Sequence, residues 1–466
     1  MKRVHIFAKA FLLTGVCFLI GACTNDFVEE GLVQEEPQKE QPTRHTVPMV
    51  LEGNVVGFDQ PSGPSKVRGA KNATSSWKNG DKVFITFFNG SAIVPGEAVY
   101  SSTDGWSVTY DGNLEKGTGM KCEARYFVNY ETTDASSQIY LNANSEIYED
   151  INGKYDFEDD QLTVQATMVP KTGRVRFTGK SGETIYVRGF SYYNTFDAAS
   201  NKFTTSNALV KTAVTSNGST PFIYARFAEA DYTLGLVSST SAFTRTCSSE
   251  MLKIGESGYM AIPTESARGN WRNGLYIKAS GVEFKMIPVA GYSEGFFLIG
   301  ETEVTEALFN TVNGTVSSSM LPVHNVTYSN IQSFCEKMTA LTNLKFDLPT
   351  KPQWQYAAKG GNQSKGYTYS GSNNPDEVAW YAANTTLRQT VKTKSPNELG
   401  IYDMSGNVHE FLRWFRSGYP YYIGGYYGSN ESVISTASEG SEASYQSSNS
   451  NCHYNGVGFR LVATCE

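Results

Sequence analysis

Three oxygen-bearing side chains stand close together near the C-terminal end of the sequence. Asp403, Asn407 and Glu410 fall within eight residues. Carboxylate and amide oxygens are ligands of hard cations, and Ca²⁺ completes such a shell with backbone carbonyls. Two glycines in the same stretch, Gly400 and Gly406, allow a sharp backbone path. The pattern predicts either a calcium loop or a loop that hydrogen-bonded carboxylates hold in place.

Other residues that commonly act in catalysis or metal binding are few. The chain has five histidines, at positions 5, 45, 324, 409 and 453, so a histidine-rich metal site is not expected. The sequence contains no G-x-S-x-G, H-E-x-x-H or G-x-x-x-x-G-K motif, which argues against a serine hydrolase, a zincin and a phosphate-binding loop. We expect the three histidines in the last third of the chain to be hydrogen-bonding loop residues rather than catalytic groups.

The strands and helices that must position the loop with Asp403, Asn407 and Glu410 lie in the last third of the chain. A strand pattern covers Val282–Val289, and helices are predicted over 302–312 and 329–342, the second with a serine cap. A third helix is predicted to start at Thr350, whose hydroxyl serves as an N-cap, with Pro352 in the first turn. Glycine- and aromatic-rich segments follow and should be irregular.

Six motifs in this region follow the order found in formylglycine-generating enzymes, or sulfatase-modifying factors, and the region resembles that family. They are GETEVT (300–305), LPVHNVTYSNIQSFCEKM (321–338), DLPTKPQWQYAAKGG (347–361), PNELGIYDMSGNVHEF (396–411), Gly424-Gly425 and Gly458-Phe459-Arg460-Leu461. The resemblance implies a variant of the C-type lectin fold. It also implies a calcium held by the side chains of Asp403 and Glu410 and by two backbone carbonyls. Those carbonyls belong to Gly406 and Val408, and Asn384 would serve a second calcium.

The same resemblance bears on catalysis. Enzymes of the family hold copper between two cysteines beyond the Gly-Gly pair, and those positions correspond to Ser429 and Ile434 here. Thiolates suit Cu(I), and neither a hydroxyl nor an alkyl group replaces them. No cysteine occurs between residues 336 and 451. We therefore expect no copper and a domain that binds a ligand without catalysis. An oxidoreductase of the sulfatase-maturation type is the alternative.

One disulfide is implied by the family. Relatives join a cysteine of the second helix to a cysteine directly after the terminal Gly-Phe-Arg. The first corresponds to Cys335, but Leu461 occupies the second position. A Cys335–Cys465 bridge is therefore expected, with Cys452 as the other candidate partner.

Residues 46–280 show short alternating segments separated by Gly, Asn, Asp and Ser, the pattern of antiparallel strands and tight turns. We predict two β-sandwich domains, over 46–160 and 161–280, because the acidic cluster 156–160 precedes a new strand. The same cluster could be a loop within one larger sandwich. With a C-terminal domain over 281–466, the predicted fold class is multidomain, with all-β sandwiches followed by an α+β domain.

The segments TSSWKNGDKVFITF, EAVYSSTDGWSVTYDGNL and CEARYFVNY resemble the fimbrillin-like lipoproteins of Bacteroidetes. Those proteins assemble into pili or accessory surface structures, so other pilus subunits are implied as partners. The resemblance also implies a proteolytic cut after an arginine, for which Arg44 is the first candidate and Arg68 the alternative. Such a cut would remove the leading strand and open a groove for a strand of the next subunit.

The chain opens with basic residues and a short apolar run that ends in Ile20-Gly21-Ala22-Cys23. This is the pattern of a secretory signal, and it resembles a bacterial lipobox with lipid on Cys23. We predict a signal peptide over 1–22, an acidic tether over 23–45 and a lipid anchor in the outer membrane. Acidic residues after the cysteine resemble a surface-export signal, so we expect the surface rather than the periplasmic face.

Composition and charge set the remaining limits on function. A net charge of −7 argues against nucleic acid as a partner, because phosphate binding needs an excess of Lys and Arg. Aromatic residues make up 13% and charged residues 18% of the chain, which excludes a disordered protein. We expect a surface adhesin or an accessory or tip pilus subunit that binds an unidentified glycan or protein ligand.

Overall fold

The computed structural model of the protein describes ten stretches of the chain. They are residues 42–58, 73–74, 77–132, 137–226, 230–249, 252–264, 270–416, 419–437, 441–442 and 455–464. The predicted signal peptide, Cys23, Arg68, Cys452 and Cys465 lie outside them. In the stretches described, no helix is long and apolar enough to cross a membrane.

The N-terminal strands surround a common core, and β5 and β11 alternate buried side chains with more exposed ones. They are β1 (Arg44–Val56), β2 (Ala73–Thr74), β3 (Lys82–Asn89), β4 (Ala92–Ser101), β5 (Gly105–Asp111), β6 (Gly117–Val128), β7 (Glu131–Thr132), β8 (Gln138–Tyr140), β9 (Glu146–Asp150), β10 (Lys154–Glu158) and β11 (Gln161–Pro170). Nine form one sheet in the order β10-β11-β9-β6-β3-β4-β5-β1-β2, and pairings of β10 with β6 and β11 with β1 connect its distant parts. Strand β1 runs antiparallel to β5 and parallel to β11. Phe87, Tyr155 and Val164 are buried in this core.

The second β region consists of short strands in three sheets. Its strands are β12 (Gly173–Thr178), β13 (Thr184–Arg188), β14 (Tyr192–Asp197), β15 (Lys202–Ser206), β16 (Val210–Ala213), β17 (Ile223–Ala225), β18 (Tyr232–Val237), β19 (Ala242–Cys247), β20 (Ser257–Ala261) and β21 (Arg272–Asn273). The sheet orders are β17-β12-β20, β16-β13-β18-β19-β21 and β15-β14-β8-β7. Because β8 pairs with β14 and β7 pairs with β8, the last sheet joins this region to the first. Phe177, Leu234 and Phe243 lie in its core.

The C-terminal region adds helices to two further sheets. Its strands are β22 (Leu275–Ala279), β23 (Val282–Val289), β24 (Phe297–Gly300), β25 (Lys345–Asp347), β26 (His409–Arg416), β27 (Tyr419–Ile423), β28 (Ser441–Glu442), β29 (Val457–Gly458) and β30 (Val462–Thr464). Its helices are α1 (Glu306–Val312), α2 (Tyr328–Thr342), α3 (Lys351–Ala358) and α4 (Pro375–Val378), with a 3₁₀ turn at Gly361–Gln363. The sheets run β22-β23-β24-β30-β25 and β28-β27-β26-β29.

The helix starts follow capping chemistry. Thr350 caps α3 as predicted, with its hydroxyl accepting from the Gln353 amide. For α2 the predicted serine cap is wrong: Thr327 caps the helix and forms a capping box with Asn330. Residue 329 instead lies in the first turn. The first helix begins at Glu306 because Thr305 is its cap, so it is shorter than the predicted 302–312.

Two hairpins shift the predicted domain boundaries. Asp159 and Asp160 have φ of 47° and 61° and form the tight turn between β10 and β11. The first sheet therefore continues to Pro170 rather than ending at 160, and the acidic cluster 156–160 forms the end of β10 and the turn that follows it. Ser280 and Gly281 form a similar positive-φ turn between β22 and β23, so the C-terminal sheet begins at residue 275 rather than 281.

The core of the C-terminal sheet is continuous with the second β region. Tyr186 and Val237 from that region pack in one cluster with Leu275 and with Ile331 and Phe334 of α2. This shared core fixes the end of α2 against the second β region. The predicted fold class, β sheets followed by an α+β region, is confirmed.

Candidate functional site

The loop before β26 makes close contacts with two other segments of the C-terminal region. Its residues Asp403, Gly406 and Asn407 have φ of 58°, 79° and 60°. A Cβ atom on Gly406 would lie 2.2 Å from the carbonyl oxygen of Trp380, so glycine is required there. The Gly406 amide donates to the Gly424 carbonyl at 2.9 Å, and the Asn407 amide donates to the Trp380 carbonyl at 2.8 Å. These contacts fix the positions of the loop's side chains.

A buried ion pair joins the start of β26 to the end of the chain. Glu410 and Arg460 are 1% and 0% exposed. Arg460 Nη2 donates to Glu410 Oε1 at 2.8 Å, and Nε lies 3.1 and 3.2 Å from the two carboxylate oxygens. The indole of Trp354 donates to Glu410 Oε2 at 2.6 Å. Arg460 also donates to the carbonyls of Gly300 and Tyr402, so it links β24, the loop and β26.

Glu303 brings a second buried carboxylate to the loop. Its oxygens accept from the side-chain amide of Asn407 at 2.7 Å and from the backbone amide of Val408 at 3.0 Å. Burial, and then the charges of Asp403 and Glu410, raise the pKa of Glu303 well above its usual range. These two bonds hold the loop against the chain just before α1.

Asp403 completes a carboxylate–arginine cluster, which we define as Glu303, Asp403, Glu410 and Arg460. Burial raises the pKa of Asp403 to about 6, although a hydrogen bond from the Lys392 amide and the charge of Arg460 oppose the rise. Burial lowers the pKa of Arg460, but Glu410 more than offsets this effect and leaves the pKa raised. The sequence assigns no role to Glu303 or Arg460 beyond the fact that each lies inside one of the six motifs.

The predicted calcium ligands Asp403, Gly406, Val408 and Glu410 stand in this loop and at the start of β26. Their oxygen chemistry suits calcium, but both Glu410 oxygens already accept hydrogen bonds within the structure. No group of three or more His, Cys, Asp or Glu side chains in the described stretches is arranged to hold a metal ion. Calcium here stays a prediction, in which the cation would share Glu410 with Arg460.

The predicted second calcium ligand, Asn384, lies elsewhere in the region. Its Oδ1 accepts from the Tyr381 amide at 3.0 Å, and its Nδ2 donates to Asp376 at 3.0 Å and to the Ala379 carbonyl at 3.1 Å. Asp376 is an acid that precedes Asn384 in the chain. The family pattern places the acid after Asn384, so the pattern does not point to Asp376. The second calcium also stays a prediction.

The positions that correspond to the copper-binding cysteines are Ser429 and Ile434. The Ser429 hydroxyl accepts from the Tyr426 amide at 3.1 Å. Ile434 is 0% exposed and packs in a small cluster with Tyr369 and Tyr381. Neither side chain offers a thiolate, so these two positions do not fit copper.

His409 is the first residue of β26, and its ring stacks on that of Tyr426 and lies tilted against that of Tyr422. The centroid of its ring lies 4.6 Å from that of Tyr422 and 5.0 Å from that of Tyr426. Burial lowers the pKa of His409 to about 4, and a hydrogen bond to the Ile423 backbone opposes the shift only in part. Burial also lowers the pKa of His324. Both side chains are therefore neutral at pH 7.

The remaining predicted site residues lie outside the loop. Cys335 is buried on α2 and has no disulfide partner among the described residues, and burial raises the pKa of its thiol to about 12. Its predicted partner Cys465 is outside the described residues, so the bridge stays a prediction. Arg44 is the exposed first residue of β1 and lies 3.9 Å from Asp111. The cut after Arg44 and the lipid on Cys23 also stay predictions.

One known protein family matches most of the described chain. Residues 157–465, about two thirds of the chain, match the model of the sulfatase-modifying factor enzyme 1-like domain. The match extends N-terminal of residue 281 into the second β region and up to β10. A curated relative, "Chaperone protein LppX" of Paenibacillus barcinonensis, is 34% identical over an alignment that covers 25% of this chain and 61% of that protein. The chain thus spans less than two thirds of the relative's length.

Two solved structures show further similarities. Treponema denticola variable protein 1 is 23% identical, with a TM-score of 0.35, over 41% of this chain and 98% of that one. A fimbrial protein from Bacteroides ovatus is 9% identical, with a TM-score of 0.28, over 90% of this chain and 99% of that one.

Proposed function

The chain belongs to the sulfatase-modifying factor enzyme 1-like family, and on that premise we propose that it is a non-catalytic binding protein of the cell surface. In this proposal it is a lipoprotein that acts as an adhesin or as an accessory or tip subunit of a pilus. The observation that carries the proposal is the pair Ser429 and Ile434. A hydroxyl with a local hydrogen bond and a buried alkyl group occupy the positions where a copper oxidase needs thiolates.

The binding surface in this proposal lies on the tyrosine-rich segment around β27. Tyr422, Tyr426 and Tyr427 are partly exposed, whereas Tyr421 is 5% exposed and packs in the core. Tyrosine side chains give rigid contact area with both apolar and polar character, which suits recognition of a glycan or protein ligand. The ring of Tyr427 packs edge-on against Tyr426 at 5.0 Å, so the contact area is preorganised.

The N-terminal half would act as a spacer and as the attachment point. In the proposal, lipid on Cys23 anchors the protein in the outer membrane and the tether leads into β1. Strand β1 lies between β5 and β11, so its loss would expose both neighbours to a strand of another pilus subunit. A cut after Arg44 leaves β1 in place, and only a cut further along the chain, such as one after Arg68, removes it.

A binding screen tests this function. The full chain would be applied to arrays of glycans and extracellular-matrix proteins, beside the variants Tyr427→Ala and Tyr140→Ala. Tyr140 is 41% exposed on β8 and serves as a matched control far along the chain from the tyrosine-rich segment. The proposal expects saturable binding that Tyr427→Ala weakens and Tyr140→Ala leaves unchanged. Failure of every ligand to bind, or equal effects of the two variants, would contradict it.

The second candidate function is an oxidoreductase of the sulfatase-maturation type. Family membership favours it, because formylglycine-generating enzymes share this domain. It would require metal ligands other than the side chains of Ser429 and Ile434. Oxidation of a sulfatase-derived peptide that depends on copper or iron would establish this alternative in place of a purely binding role.

A further inference from the structure

A polar groove lies where the second β region meets the C-terminal region. It has a volume of about 550 Å³ and runs between the turn after β13 and the end of α2. This volume lies within the range of roughly 300–1,000 Å³ that is usual for small-molecule sites. The shared core of Tyr186 and Val237 with Phe334 fixes the two walls relative to each other. The groove is therefore part of the packed structure.

Two arginines face this groove. Arg188 Nη2 donates to the carbonyl of Thr342, the last residue of α2, at 2.9 Å, and burial lowers the pKa of Arg188. Arg226 is exposed, and its guanidinium carbon lies 5.6 Å from the centre of the Tyr193 ring. In the part of the chain that the structure describes, neither guanidinium is paired with a carboxylate. Two cations that line one groove attract an anion when, as among the described residues here, no carboxylate neutralises them.

The rest of the wall combines hydroxyl and amide groups with one aromatic ring. Ser191, Asn207 and Asn343 supply the polar groups, and the ring of Tyr232 supplies the flat apolar surface. Tyr232 is supported by Phe190, whose ring centroid is 5.8 Å away. Sugars present hydroxyl groups at their edges and C–H groups on their faces, so this wall matches their chemistry. No aspartate or glutamate is among the described residues that line the groove.

We propose that this groove binds a sugar that carries a carboxylate, with the carboxylate at Arg226 and Arg188. Arginine suits such a group because its planar fork donates two parallel hydrogen bonds to one carboxylate. The inference goes beyond the proposed function, since it places a site at the junction of the two regions and not on the tyrosine-rich segment. It does not depend on whether Ser429 and Ile434 exclude catalysis.

Titration of the full chain with two disaccharides tests this site. One disaccharide contains glucuronic acid, and the other has glucose in its place, with inorganic sulfate as a third ligand. The glucuronic acid compound should bind at least about tenfold more tightly than the glucose compound, since only the carboxylate can accept charged hydrogen bonds from the arginines. Equal affinity for the two disaccharides, or sulfate that binds as tightly as the acidic sugar, would overturn the proposal.

Variants then locate the binding. Arg226→Gln removes an exposed guanidinium and should weaken the acidic disaccharide about tenfold or more. Arg176→Gln is the matched control, because Arg176 stacks on Phe222 and Tyr259 and does not line the groove. Arg188→Gln should weaken binding as well, but it also removes the contact to Thr342, so Arg226→Gln decides the outcome. Unchanged affinity in Arg226→Gln, or an equal loss in Arg176→Gln, would overturn the proposal.

Discussion

The carboxylate–arginine cluster and the segment 424–434 are neighbours that have different chemistry. The Gly406 amide donates to the Gly424 carbonyl, so the two share a backbone contact. In the cluster, charged side chains from three motifs meet in the interior. In the segment, Ser429 and Ile434 stand where the family resemblance expects reactive thiols. Neither Ser429 nor Ile434 belongs to the cluster, so the polar interior forms without thiols at these two positions.

Replacing Arg460 should cause the largest loss in the free energy of unfolding. Arg460→Leu leaves the buried carboxylate of Glu410 without its cation, and breaking a buried pair costs roughly 3–5 kcal/mol. Arg413→Leu is the matched control, since Arg413 pairs with Asp347 at the surface and such pairs contribute below about 1 kcal/mol. Chemical denaturation of both variants measures the difference. Equal losses would show that the cluster does not hold the fold.

Truncating Ile434 tests whether the segment 424–434 is packed into the core. Ile434→Ala opens a cavity beside Tyr369 and Tyr381 and should cost roughly 3–4 kcal/mol. Leu387→Ala is the control, because Leu387 is 68% exposed and should change stability little. The same denaturation experiment applies. A loss below about 1 kcal/mol for Ile434→Ala would mean that this position is not part of the packed core.

Acid should destabilise the chain through His409. The pKa of His409 is about 4 in the folded state against about 6.5 when unfolded, so the unfolded chain binds more protons as the pH falls. His409 therefore does not lower the free energy of unfolding above about pH 6.5. As the pH falls from about 6.5 to 4, it lowers that free energy by an amount that grows to about 3 kcal/mol. The stability difference between wild type and His409→Phe, measured from pH 7 to 4 with EDTA present, isolates this effect. A difference that does not change with pH would contradict the burial of His409 as a neutral ring.

Calcium should have the smallest of these effects. A site filled at about 100 times its dissociation constant adds roughly 2.7 kcal/mol. Melting curves of the full chain with excess Ca²⁺ and with EDTA should differ by several degrees. Asp403→Ala should abolish the difference, whereas Asp111→Ala, at the surface beside Arg44, should preserve it. Curves that superimpose for the wild type would leave Arg460 as the only cation that serves Glu410.

How far the sequence predicts this region depends on the range of the contacts. The cap at Thr350 is predictable because its partner Gln353 is three residues away. The pairing of Glu410 with Arg460 spans 50 residues and is not visible from either motif alone. The β10–β11 turn at 159–160 is mistaken for a boundary between domains because charged turns and interdomain linkers have similar amino-acid composition. Substitution of the copper-binding positions is predictable, since it rests on residue identity and order.

We propose that this chain has the family's fold but does not carry out its oxidase chemistry. The most direct test incubates the full chain with a cysteine-containing sulfatase peptide, Cu(I) and oxygen, and follows formylglycine by mass spectrometry. An active member of the family, assayed in parallel, is the positive control. The account predicts no more product than in a sample without protein. Copper-dependent conversion of the peptide at a rate near that of the control would contradict it.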